Sequence, residues 1–426
     1  MLSEQSTPVI RATLPVVGAA IEEITTLFYR KLFDAHPELL RDLFNPGNQA
    51  NGEQQQALAG SIAAFAGMLL AHPDTRPDAM LARIAHKHAS LGVTADQYKT
   101  VNEHLLAAIA DVLGTAVTPQ VADAWDEVYW LMANALISVE ARLYEQHGTP
   151  EGGTWQRMTV VGRHQETPDA LALTLLPADG TPARAFHPGQ YVSVQVELPD
   201  GARQIRQYSL SGAPGRPEWR ITVKRLCADT GPAGEVSSWL HDQARIGDVL
   251  AVSAPFGDLT LPAGGGPLLL ASAGIGSTPM LAMLHHLAAT GSSRPVTVVH
   301  ADRTPTDHAH RDELHHLVGR LPRATLHLWY EEPGHRTAAP ASALPAPSSL
   351  PALSSLPSLP SLQAPATVSS GRVDIGRLPL PQDLTSYLCG PLPFMRALRG
   401  ALLHRGIPPQ TIHYEVFGPD LWLARQ

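Results

Sequence analysis

The sequence predicts a multidomain chain: an all-α domain over residues 1–147, an antiparallel β-barrel over 155–263, and an α/β domain with a doubly wound parallel sheet over 264–426. Three changes of texture carry this. Up to about residue 147, apolar residues recur at helical spacing. From Trp155, short stretches rich in β-branched and aromatic residues are separated by turn residues. From Gly264, strand patterns alternate with helix patterns, which implies parallel pairing with crossover helices. The run 148–154 breaks the helical pattern and reads as a linker.

In the first domain, Val17, Ile21, Ile24, Phe28 and Leu32 of "PVVGAAIEEITTLFYRKLF" make one apolar stripe, and "EQQQALAGSIAAFAGMLL", "ADQYKTVNEHLLAAIADVLG" and "VADAWDEVYWLMANALISVEARLYEQ" behave alike. The barrel strands are "RMTVVGR", "ALALTLLP", "QYVSVQVEL", "IRQYSLSG", "WRITVKRL" and "DVLAVSAPFG". In the third domain "PLLLASAG", "PVTVVHA", "ATLHLWYEE", "SYLCG" and "TIHYEVFG" read as strands, with helices such as "TPMLAMLHHLAA" and "PFMRALRGALLHRG" between them. One segment leaves that rhythm. Thr337–Ser370 has no charge and no aromatic residue, and its Pro and Ser content opposes a packed core, so it reads as a disordered surface insertion.

Composition narrows the function classes. A net charge of -8 argues against a nucleic-acid or anionic-membrane surface. Two cysteines, Cys227 and Cys389, give no disulfide framework. No run approaches the ~20 apolar residues of a membrane span, and the N-terminus lacks a signal pattern, so a cytoplasmic location is expected. No obligate protein partner is implied.

Two glycine turns mark the third domain. In "LLLASAGIGSTPM", Gly274 and Gly276 follow a strand and precede a helix, where backbone N–H groups can meet a phosphate. "CGP", Cys389–Pro391, ends another strand and opens a second helix. Glycine turns at two strand ends of one parallel sheet point to a shared crevice. In the barrel, "RQYSLSG" puts Arg206 and Tyr208 on one strand face and Ser209 on the other. There a Tyr can cover a flat ring and an Arg can neutralise a phosphate. "GEVSSWLH" adds Gly234 at a helix start. R-x-Y-S, G-x-G-x-x-P and C-G-P, in this order, resemble the ferredoxin reductase-like family over about residues 153–426. That resemblance implies FAD in the barrel and NADH or NADPH in the α/β domain. "KRLCADTGPAGEVSSW" is longer than the family's usual turn. Asp302 and Arg303 in "HADRT" leave NADH against NADPH open.

The helical domain holds "RIAHKHASLGV". On a helix, His86 and His88 lie about 200° apart and cannot share a ligand. His88 follows Leu81, Ile84 and Ala85 on the apolar stripe, whereas His86 leans toward solvent. Glu140 sits among Leu136, Ile137, Leu143 and Tyr144, and a carboxylate on an apolar face needs a partner. Tyr98 is the expected donor, and together they would polarise the second N–H of a metal-binding imidazole. Gln54 and Leu58, at i and i+4, face one cavity. His308, His310, His315 and His316 read as a solvated loop and helix face.

"HPELLRDLFNPGNQANGEQQQAL", "IAHKHASLGV" and "ANALISVEARLYE" make residues 1–147 resemble the globin domain of flavohaemoglobins, so that family spans the whole chain. The resemblance implies haem b with His88 as iron ligand and a relay of Tyr98 and Glu140 behind it. Tyr29 and Gln54 would donate to bound O2, Leu58 would flank it, and Phe44 would pack on the haem. Lys87 matches a position tied to the haem–flavin region. FAD would be contacted by Tyr191 and by Arg206, Gln207, Tyr208 and Ser209. The nucleotide would be contacted by Gly274, Ile275, Gly276, Ser277, Thr278 and Pro279. Glu415, Val416, Phe417, Gly418 and Pro419 would lie by the flavin. The implied activity is a nitric oxide dioxygenase: electrons pass from NAD(P)H through FAD to haem, and O2 and NO give nitrate. The alternatives are a reductase for other acceptors and a gas-binding globin.

Overall fold

The computed structural model describes residues 1–74, 78–227, 233–332 and 366–418. The chain forms two compact units, residues 1–262 with 415–426, and residues 263–414.

The first unit opens with seven helices: α1 (Ser6–Ala35), α2 (Pro37–Asp42), α3 (Pro46–Ala50), α4 (Glu53–Ala71), α5 (Asp78–Leu91), α6 (Ala95–Leu113) and α7 (Pro119–Gln146). Their ends follow local chemistry. The Asn45 side chain accepts from the Gly47 N–H ahead of α3, and Thr94 with Gln97 forms a reciprocal cap on α6. Gly92, at φ +78, allows the turn out of α5. The buried stripe of α1 is Ile10, Val17, Ile24, Phe28 and Leu32, which packs with Leu105 and Ala108 of α6 and with Trp125 and Leu136 of α7.

The barrel follows as β1 (Trp155–Thr167), β2 (Ala170–Pro177), β3 (Tyr191–Glu197), β4 (Arg203–Ser209), β5 (Trp219–Lys224), helix α8 (Glu235–Asp242) and β6 (Val249–Ser253). The order is β4-β3-β6-β1-β2-β5, and the registered pairs are antiparallel. A bridge between Leu210, just past β4, and Ile221 of β5 links the two outer strands at one point, as in a closing barrel. Its core is a near-continuous apolar set, with Leu171, Leu173, Val192, Val194, Ile221 and Val252 almost fully buried.

Tyr191, Ala254 and Phe256 of the barrel belong to the same buried cluster as the helices, so these two expected domains pack as one unit. The linker is part of that packing. The Ala95 N–H donates to Glu151, and a side chain at Gly152 would come within 2.9 Å of Thr94.

The second unit holds β7 (Leu268–Ala273), α9 (Ser277–Ala289), β8 (Val296–Asp302), α10 (Arg311–Gly319), β9 (Ala324–Tyr330), β10 (Ala366–Ser370), β11 (Thr385–Cys389), α11 (Leu392–His404) and β12 (Ile412–Glu415). The sheet order is β10-β9-β8-β7-β11-β12. β7, β8, β9 and β10 pair in parallel, and β11 pairs in parallel on the other side of β7. The winding therefore reverses between β7 and β11, which is where such sheets bind ligands.

One expectation is corrected here. The last residues of the Pro/Ser segment, Ala366–Ser370, form strand β10 against β9 rather than disordered chain. The rest of that segment lies outside the described residues, as does Pro419. Among the described residues, no helix is long and apolar enough to cross a membrane.

Candidate functional site

α7 packs against both α5 and α6, and this brings His88 of α5, Tyr98 of α6 and Glu140 of α7 together. The Tyr98 hydroxyl donates to Glu140 Oε1 at 2.6 Å, and His88 Nδ1 lies 2.9 Å from the same oxygen and 2.8 Å from the phenol. Glu140 is 3% exposed. A buried carboxylate needs donors, and the imidazole and phenol supply them. Burial and the neighbouring Glu140 both push the Tyr98 hydroxyl pKa up, so it stays a donor. A donor on Nδ1 puts the lone pair of His88 on Nε2, the nitrogen turned away from the relay. The arrangement suits one metal ion held by one imidazole.

Within the same helical core, Tyr29 is 5% exposed and ringed by Phe28 at 4.7 Å, Phe33 at 5.6 Å and Phe44 at 5.7 Å between centroids. Burial raises its pKa, and the Gln54 side chain at its hydroxyl opposes the shift. Leu58 and Phe44 are partly buried against the same core. The surroundings of Tyr29 are thus apolar, with two polar groups, a phenol and an amide, at one place.

The barrel side of this unit holds the other expected residues. Tyr191 is 8% exposed, its hydroxyl pushed up by burial and by Glu415. Arg206 donates to Asn45 Oδ1 at 2.8 Å and Gln204 Oε1 at 3.0 Å, and burial lowers its pKa. Gln207 donates to Ser193 Oγ at 3.2 Å. Tyr208 feels the Arg206 charge, consistent with one shared strand face. Ser209 Oγ and Glu415 Oε2 are buried with no hydrogen-bond partner. Unsatisfied buried atoms of this kind suit a polar ligand. Glu415 has its pKa raised to about 8 by burial and then by Asp258, against the pull of Arg83 and Lys87. Lys87 Nζ donates to the Gly418 carbonyl at 3.1 Å. Val416 is partly buried and Phe417 exposed.

In the second unit, the two glycine turns meet. A side chain at Gly276 would lie 2.4 Å from the Cys389 carbonyl oxygen, and one at Gly390 would lie 3.1 Å from Ala273. Only bare backbone fits where β7 and β11 end, so the two turns form one floor. Gly274 has φ +53 and open space around it. Ile275 completes that turn, while Ser277, Thr278 and Pro279 start α9. Thr278 donates to the Ile275 carbonyl at 2.9 Å, while Ser277 Oγ is buried without a partner. An N–H-rich helix start with an unused hydroxyl is suited to a phosphate group.

Two readings of histidines are corrected. His308 and His310 are each 4% exposed, not solvated. His308 stacks on His300 at 3.9 Å and its Nδ1 lies 2.9 Å from the Tyr330 hydroxyl. His310 turns into the left-handed region and its Nδ1 lies 3.1 Å from Glu313. Burial and the neighbouring His300 hold His308 neutral. His316 is exposed, as expected. Among the described residues, no group of three or more such side chains is placed to hold a metal ion. His86 likewise does not lean into solvent: its Nδ1 accepts from the Gly257 N–H at 3.1 Å. Sequence reasoning also missed Arg83, Ser90 and Asp258. The signal was available in part, because Arg83, His86, Lys87 and Ser90 make a polar stripe on α5.

Comparison with known proteins bears on this arrangement. Residues 26–136 match the globin family, 162–261 the oxidoreductase FAD-binding domain and 270–341 the oxidoreductase NAD-binding domain. A flavohemoprotein of Rhizobium meliloti is 39% identical over 99% of this chain and 100% of its own length. The chain belongs to the flavohemoprotein family. Another member, from Bordetella pertussis, is 41% identical over 98% of this chain and 99% of its own. The crystal structure of a flavohemoglobin from Malassezia yamatoensis, with bound FAD and heme, aligns with a TM-score of 0.84 at 36% identity, covering 98% of this chain and 100% of that one. The FAD/NAD-binding part of a nitric oxide dioxygenase from Vibrio cholerae aligns with a TM-score of 0.53 at 32% identity, over 62% of this chain and 100% of that one.

Proposed function

We infer that this flavohemoprotein is a nitric oxide dioxygenase that uses NADH or NADPH, FAD and haem b to convert NO and O2 to nitrate. The observation that carries the reading is the His88–Glu140–Tyr98 relay in one chain with a flavin and nucleotide reductase. When bound, haem supplies an oxygen-binding iron and FAD divides a hydride pair into single electrons.

The chain's own residues do the rest. His88 Nε2 would hold the iron, while Glu140 accepts the Nδ1–H and keeps the ring in one tautomer. A carboxylate behind the imidazole raises its donor strength, which favours oxygen chemistry over storage. Tyr29 would donate its hydroxyl to O2 in apolar surroundings, with Gln54 orienting that hydroxyl. Phe44 and Leu58 would line the ring. Tyr191, Tyr208 and Ser209 would meet the flavin, Arg206 its phosphates, and Gly274 to Pro279 the nucleotide. Glu415 to Gly418 would close the flavin's side. Lys87 links α5 to that segment.

The test is an anaerobic NADH titration followed by admission of air and NO. The expected result is a Soret band that shifts on NADH addition, then NADH-dependent loss of NO. No Soret band, no shift, or no NO loss each contradicts the reading at a different step. His88→Ala is expected to lose haem and to retain NADH oxidation by the flavin, measured by absorption and steady-state assay.

A further inference from the structure

The face of α5 opposite His88 is built as carefully as the face that carries it. Arg83, His86, Lys87 and Ser90 stand at i, i+3, i+4 and i+7, one stripe along a helix. Each meets the barrel side of the same unit. Arg83 lies 3.7 Å from Asp258, Lys87 donates to Gly418, and the Ser193 hydroxyl donates to Ser90 at 3.0 Å. His86 differs from these, because it accepts from a backbone N–H, that of Gly257, and so fixes a peptide plane.

That peptide is the support of Tyr191. Tyr191 and Phe256 exchange both backbone hydrogen bonds, at 2.8 Å each. Gly257 has φ +123, and a side chain there would sit 3.1 and 3.2 Å from ring carbons of Tyr191. The ring therefore rests directly on the bare glycine. The Phe256 ring is fully buried and meets His147 at 4.8 Å and His86 at 6.4 Å, both edge-on. At its far end the Tyr191 phenol is met by the Ser90 hydroxyl. One helix thus holds Tyr191 at both ends, through Gly257 and through Ser90.

We propose that His86 is a positioning residue for electron transfer from flavin to haem: by accepting the Gly257 N–H it fixes the platform of Tyr191, and with it the flavin, relative to the His88 end of the same helix. This rests on the dioxygenase reading above. In this role His86 acts through Gly257.

The test uses the full chain loaded with haem and FAD. Anaerobic stopped-flow with NADH gives separate rates of flavin and haem reduction, and visible circular dichroism of the FAD reads its contact with Tyr191. His86→Ala is expected to lower the ratio of haem to flavin reduction rates by about tenfold, since small misplacements carry penalties of this order, and to alter the dichroism. His86→Asn, whose Oδ1 can accept the same N–H, is expected to restore both. A wild-type ratio and dichroism in His86→Ala overturn the proposal, and so does failure of Asn to restore what Ala removes. Should His86→Ala not retain haem, Gly257→Ala leaves α5 untouched, displaces the Tyr191 ring, and carries the same expectation; a wild-type ratio there overturns the proposal. If NADH cannot reduce the haem of the wild-type protein, the functional reading fails, and the dichroism of the variants still decides the positioning role.

Discussion

Tyr29 and Glu415 show how burial sets the work of a single side chain. Tyr29 is enclosed by three aromatic rings, so Tyr29→Phe preserves the packing and removes only the hydroxyl. A hydrogen bond to a ligand carrying negative charge contributes about 1.5–3 kcal/mol. O2 release is therefore expected to speed up on the order of 10- to 100-fold and NO turnover to fall, with the melting temperature little changed. Flash photolysis reads the first quantity, and an unchanged dissociation rate would remove Tyr29 from the oxygen site. For Glu415 the sign of the linkage is set by a pKa near 8 against an ordinary 4.5. The folded protein holds this proton in a range where the unfolded chain has lost it. Stability from this group is thus present in full below about pH 4.5 and declines as pH rises through 8, by a few kcal/mol in order of magnitude. Glu415→Gln removes that slope. Its thermal stability relative to wild type is expected to improve as pH rises from about 5 to 8 and then level off; parallel curves would place the carboxyl in a wetter setting.

Elements that bury apolar side chains on a regular period were legible from sequence, and those defined by distant partners were not. β2, β3, β7 and α1 announce themselves through Leu, Val and Ile at strand or helix spacing. β10 does not, because "ATVSS" is largely exposed and is a strand only through its pairing with β9. The buried stack of His308 on His300 depends on the end of β8 and on Tyr330, which local pattern cannot foresee. His86 read as solvent-facing because its partner lies 171 residues away. By contrast, Glu140 was legible, since a carboxylate amid Leu136, Ile137 and Leu143 demands donors. At Gly276 the structure adds what the motif alone could not: the constraint is the backbone of β11. In Gly276→Ala a new methyl would press on the Cys389 carbonyl, and such overpacking costs about 1–3 kcal/mol. The KM for NADH is expected to rise about tenfold with the Soret spectrum unchanged. An unchanged KM would show that the two turns can part without loss.

At the scale of the whole chain, connectivity constrains the Pro/Ser segment more than its composition suggests. β9 and β10 are adjacent and parallel, with Leu326 opposite Ala366 and Tyr330 opposite Ser370. The chain leaving Tyr330 must therefore return along the full length of the strand before it enters β10. A parallel connection needs about a dozen residues at least. The stretch between Tyr330 and Ala366 is longer than that minimum, and the surplus is what a deletion can remove. Shortening this stretch to about 15 residues is expected to leave haem reduction by NADH within about twofold of wild type, because loop length beyond the minimum changes closure entropy only logarithmically. Shortening it to about five residues falls well below the length a parallel crossover needs, so β10 is expected to detach and expose the edge of β9. The expected signs are a lower melting temperature for the nucleotide-binding unit and a rise in aggregation, with the Soret band intact. Equal melting of the two deletions would show that β10 contributes nothing to the sheet it borders.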